Sequence, residues 1–148
     1  MRALLAIIAA VAGTILAPVA LAKGEGVQLW LVGTVSGVQQ KDDRISFLLT
    51  GDVELVQYRQ NRKSLIRVQS RRPVPVSTRQ PEFFFVMDDE WGGGPGAPGK
   101  LASVLRSAAS SGKALRLEAG KATVRFAGGP DDLIAIEWCE VYRVYSVK

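Results

Sequence analysis

Apolar and β-branched residues, punctuated by glycine, dominate 27-VQLWLVGTVSGV-38. Val27, Leu29, Leu31, Gly33 and Val35 share one face, and Gln28, Trp30, Val32, Thr34 and Ser36 share the other. Two such faces over this length predict a long β-strand. Gly33 and Gly37 give that strand places to coil or bulge, as strands of small closed barrels must. The polar run 40-QKDDR-44 predicts a hairpin turn and 45-ISFLLT-50 the returning strand. Gly51-Asp52 predicts a second turn, after which residues 53–58 extend the meander.

Further along, 64-SLIRVQ-69 predicts a short strand, and Pro73 and Pro75 confine the residues after it to a sheet edge or an extended loop. The dense apolar run 82-EFFFVM-87 predicts a buried strand, and residues 88–99 a loop, DDEW followed by GGGPGAPG. In 101-LASVLRSAAS-110 the apolar spacing switches. Leu101, Val104, Leu105 and Ala108 fall at i, i+3, i+4 and i+7, one stripe of a helix. Pro98 suits its first turn and Gly112 the left-handed residue just past its end. Strands are expected at 114-ALRLEA-119, 121-KATVRFA-127 and 133-LIAIEWCEVYRVYSV-147, separated by turns at 119-AG-120 and 128-GGPDD-132. Trp30, Phe47, Phe83, Phe84, Phe85 and Trp138 are expected in the core.

One helix set among five or more short strands predicts a mainly β fold, a small antiparallel barrel with a helix plugging one end. No internal repeat and no linker divides the chain. This order resembles the OB-fold, most specifically in two places: 32-VGTVSGV-38 with its hairpin and 45-ISFLL-49, and the helix ending in Gly112-Lys113 with 114-ALRLE-118 directly after it. The helix, Gly-Lys, strand run is similar to that of small secreted bacterial domains of OB-like fold. The resemblance implies a β-barrel and no particular activity.

The N-terminus changes the setting in which that barrel is read. Arg2 precedes an apolar run over residues 3–16, broken only by Gly13 and Thr14. Pro18 and Ala20-Leu21-Ala22 complete a Sec-type signal peptide over residues 1–22, with cleavage after Ala22. The expected product is a single periplasmic or secreted domain, residues 23–148. Retained, the same segment is long enough to anchor the protein in a membrane, the one membrane contact expected. The leader carries only Arg2, so 18 of the 19 basic side chains remain against 14 carboxylates, a net charge of +4. Export means an oxidising compartment, yet Cys139 is the sole cysteine and no internal disulfide can form. The core must hold the fold, with Cys139 a buried inert thiol within it.

Candidate chemistry is narrow. With no histidine, Ser-His-Asp triads and Cys-His pairs are impossible, and one cysteine cannot build a His/Cys zinc site. Gly94, Gly99 and Lys100 match the spacing of a phosphate loop, but Pro95 and Pro98 lack N–H groups and Leu101 stands where Ser or Thr must hold magnesium. Nucleotide binding is therefore not expected. Asp88, Asp89 and Glu90 lack calcium-loop spacing, and Glu137 and Glu140 fall on opposite faces of a regular strand. No catalytic constellation, cofactor or metal is expected, and the reading is non-enzymatic.

The best candidate for a binding surface is the basic segment over residues 59–79. It contains Arg59, Arg62, Lys63, Arg67, Arg71, Arg72 and Arg79, of which the first six are the candidate contacts, and no acidic residue occurs between Glu54 and Glu82. Arginine forks suit phosphate, sulfate and carboxylate groups. Trp91, beside three glycines, is a further candidate contact. Outside the cytoplasm the expected partners are an anionic glycan, a lipid head group or an acidic protein surface, rather than nucleic acid. The alternative is a structural accessory subunit of a cell-envelope assembly, joined through apolar surface and taking no small ligand.

Overall fold

The computed structural model describes residues 27–59, 62–87, 94–96, 99–129 and 131–148. Residues 1–22, expected to be a signal peptide, and the stretch with Asp88, Asp89, Glu90 and Trp91, expected to be a loop, lie outside the described residues. The elements are β1 (Val27–Lys41), β2 (Arg44–Arg59), β3 (Arg62–Arg79), β4 (Phe84–Val86), β5 (Gly94–Gly96), α1 (Lys100–Ser111), β6 (Leu115–Phe126) and β7 (Leu133–Ser146). β1 pairs antiparallel with β2 and β6, β2 with β3, and β6 with β7, while β3 and β7 close the cycle as parallel neighbours. The result is a closed five-stranded OB-like barrel with one helix between the third and fourth barrel strands. The short β4 and β5 extend the sheet beyond β7.

Of the two faces of β1, the one with Leu29, Leu31 and Val35 points into the barrel, and all three are buried. Phe47, Leu49, Val53 and Leu55 meet them from β2, Leu115, Leu117 and Val124 from β6, and Cys139, Val141 and Val144 from β7. The helical stripe is as predicted, with Leu101, Val104, Leu105 and Ala108 buried. Gly112, at φ 67°, ends the helix in the left-handed conformation. At the other end the Leu101 N–H donates to Gln80 Oε1 at 2.9 Å, so a residue just after β3 caps the helix.

Four sequence expectations are corrected by strand continuity. Gly51-Asp52 is not a turn, because β2 runs through it to Arg59. Gly51 lies directly opposite Gly33, where a Cβ on either glycine would sit 2.2 Å from a carbonyl oxygen of the facing strand. The glycines allow close approach of two backbones rather than reversal of one. Ala119-Gly120 is likewise within β6, whose register against β7 slips there, and Lys121 takes φ 50°. Residues 64–69 are part of the long β3, which also absorbs Pro73 and Pro75. Those prolines fall before Val76, where pairing with β7 begins, so the expectation of an edge position holds. Gly94–Gly96 is a short strand against β4 rather than loop.

A fifth correction concerns 82-EFFFVM-87. Only Phe84 and Val86 are buried, while Phe83 and Phe85 face solvent and Met87 is exposed. A short strand at the margin of a barrel has one core face, and an unbroken apolar run does not reveal that its alternate members are left outside. Trp30 and Trp138, also expected in the core, are half-buried on the outer surface under arginine side chains.

Candidate functional site

The basic segment becomes most of β3, and the ladder treats its cations unequally. Glu54 lies opposite Arg67, and Arg67 Nε donates to Glu54 Oε2 at 3.2 Å. Arg71 and Arg72 occupy an irregularity: β2 advances from Leu49 to Gly51 while β3 covers Ser70 to Val74. The extra β3 residues form a bulge, and Ser70 Oγ donates to the Arg72 carbonyl oxygen within it. In a regular strand one of two adjacent side chains would point inward. At the bulge Arg71, Arg72 and Pro73 are all exposed. Neither arginine has an ion-pair or ring partner among the described residues. Arg59 and Arg62 face each other across the β2–β3 hairpin, next to Lys63. The side chains of these three, with Trp91, lie outside the described residues.

Where β3 meets β7, a second cluster forms that the sequence reading missed. Glu140 is on the outer side of β7, yet its side chain is only 5% exposed. Arg79 donates to Glu140 Oε1 from Nε at 3.0 Å and from Nη2 at 2.6 Å. Lys121 Nζ approaches Oε2 at 3.0 Å, and the Tyr142 hydroxyl donates to the same oxygen at 3.1 Å. Gly120 makes room for this lid, since a Cβ there would stand 2.8 Å from the Tyr142 ring. Arg79 also lies over the Trp138 ring at 5.5 Å, beside Arg44 at 5.1 Å, and 3.8 Å from Asp43. The available signal was the even spacing of Trp138, Glu140 and Tyr142, which puts all three on one side of β7.

Burial by itself pushes the Glu140 carboxyl upward, but the hydrogen bonds from Arg79, Lys121 and Tyr142 outweigh it and hold the group below its ordinary value. Glu140 is thus ionised at neutral pH and engaged through both oxygens. It ties β3, β6 and β7 together at the one parallel seam of the barrel. Glu137 does not share this cluster, though not because it faces the opposite side: β7 slips register at that position, leaving Glu137 exposed and paired with Arg125 at 3.4 Å. Above the cluster an open depression of about 720 Å³ is lined by the Asp42-Asp43 turn, Gln80, Glu82 and Lys121. With acidic groups on its rim and its two cations already held by Glu140, it is a poorer anion site than the bulge.

Cys139 is fully buried, and burial pushes its thiol up to about 12. It is an inert core residue, as expected. Comparisons with protein-family models, curated proteins and solved structures found no match to this chain.

Proposed function

We propose that this chain is an exported, non-catalytic binding module that takes an anionic partner on the β2–β3 side of its barrel, with Arg71 and Arg72 as the principal contacts. The supporting observation is the contrast along β3. Arg67 and Arg79 are neutralised by carboxylates of the same chain, whereas the adjacent guanidinium groups of Arg71 and Arg72 are exposed with no internal partner among the described residues. A bulge that turns two consecutive side chains outward gives a fork pair suited to carboxylate, sulfate or phosphate oxygens. The outer strand face and flanking loops of OB-like barrels offer a groove for extended ligands, which is consistent with this placement.

The test uses three immobilised probes: vesicles rich in phosphatidylglycerol, a sulfated glycan and polyglutamate. Wild-type protein is expected to bind at least one, with affinity falling steeply as salt rises. The Arg71→Glu, Arg72→Glu protein is expected to lose that binding while keeping its fold. Equal binding by both proteins, or binding insensitive to salt, would remove these arginines from recognition. The probe that is bound assigns the class of partner.

A further inference from the structure

A different surface, on the outer side of β1, β6, β7 and β4, carries a run of exposed apolar side chains. Along β4 and the residues flanking it, Phe83, Phe85 and Met87 are 64%, 39% and 57% exposed, alternating with the buried Phe84 and Val86. The ladders place this strip beside further rings and cations. Phe85 pairs with Arg143, Arg143 with Glu118, and Glu118 with Trp30, forming one row across four strands. In the next row Arg116 stands between Val32 and Tyr145. Arg116 lies over the Trp30 ring at 4.1 Å, and the Trp30 and Tyr145 rings are 6.3 Å apart. A depression of about 430 Å³ opens between Phe83, Phe85, Tyr142 and Arg143.

We propose that this face is the contact surface of an isologous dimer, its occupant a second copy of this chain. Three observations converge. Aromatic residues, methionine and arginine dominate it, the composition that distinguishes the centres of protein interfaces. Three exposed apolar side chains at alternate positions of one five-residue stretch form a contiguous patch, not the single scattered exposures that need no explanation. The charges also balance: Arg116 and Arg143 stand with Glu118, which pairs with Arg143 at 3.3 Å, and with Glu82 on the rim of the depression. An isologous interface must complement itself. A patch with both signs around an apolar strip meets that demand, whereas a patch of one sign would repel its copy. The Arg71-Arg72 bulge, by contrast, is of one sign and suits a different, acidic partner.

Sedimentation equilibrium of the purified protein over a range of concentrations tests this directly. The wild type is expected to pass from monomer to dimer mass as concentration rises, with little change on adding salt. Phe83→Ser, Phe85→Ser and Met87→Ser together are expected to leave a monomer of unchanged circular dichroism. Phe83→Asp alone, at the most exposed of the three positions, is expected to weaken the dimer roughly 30-fold or more, the effect of losing one central interface anchor. A wild type that stays monomeric throughout, a triple variant that dimerises as before, or a mass that grows without stopping at the dimer would each overturn the assignment.

Discussion

Replacing Glu140 by Gln keeps the size of the side chain and removes its charge. In the wild type both carboxylate oxygens are occupied, by Arg79 on one side and by Lys121 and Tyr142 on the other, and the group is almost wholly shielded from water. Losing one partner of a fully buried ion pair costs about 3–5 kcal/mol. Here Arg79 and Lys121 are 44% and 69% exposed, so water re-solvates them when the charge is gone. The expected cost is therefore smaller, about 2 kcal/mol, within the range for hydrogen bonds to a charged group. For a domain of this size that lowers Tm by roughly 8 °C at neutral pH. The sign of the pH dependence comes from the depressed carboxyl of Glu140, whose ordinary value is 4.5. Its stabilisation is complete above that value and is lost as pH falls through the lower, folded-state value. Thermal unfolding monitored by circular dichroism should show the gap between wild type and Glu140→Gln closing as the solution is acidified. Equal stability at neutral pH, or a gap that persists unchanged into strong acid, would refute the role assigned to this carboxylate.

Other parts of the fold carry predictions of their own. Gly33→Ala should destabilise by more than about 3 kcal/mol in urea denaturation, because its Cβ would meet the Thr50 carbonyl oxygen at 2.2 Å and backbone cannot yield as a flexible side chain does. Gln80→Ala should cost about 1 kcal/mol by removing the acceptor for the Leu101 N–H, read as a lower urea midpoint with an unchanged slope. Cys139 should react with a thiol reagent only as fast as the protein unfolds, since its thiol is buried and pushed up to about 12; prompt labelling of native protein would contradict its place in the core.

The parts of this fold that were legible in the sequence are those governed by local periodicity. The alternation of Leu29, Leu31 and Val35 and the i, i+3, i+4 stripe of Leu101, Val104 and Leu105 each bury one face, and the structure buries those faces. Glycine was harder to read. At Gly37, φ 60° within a register slip of β1 bears out the expected bulge. At Gly51 and Gly120 the same residue type marks close approach of another strand or of the Tyr142 ring, a long-range demand with no local signature. The Glu140 cluster was hidden for a related reason. Arg79, Lys121 and Glu140 belong to three strands far apart in sequence, and only closure of the β3–β7 seam brings them together. Along β3 the excess of arginine was plain, but which cations stay free depends on Glu54 and Glu140 reaching Arg67 and Arg79 from other strands.

The most direct test of anion recognition at the bulge is a crosslinked pull-down from a cell-envelope extract, comparing wild type with the Arg71→Glu, Arg72→Glu variant. Each basic group near an anionic surface contributes about 1 kcal/mol, so reversing two should weaken capture by roughly 30-fold or more. A partner recovered by the wild type and lost from the variant is the predicted result, and its chemistry assigns the ligand class. The same partner recovered equally by both would contradict a role for Arg71 and Arg72.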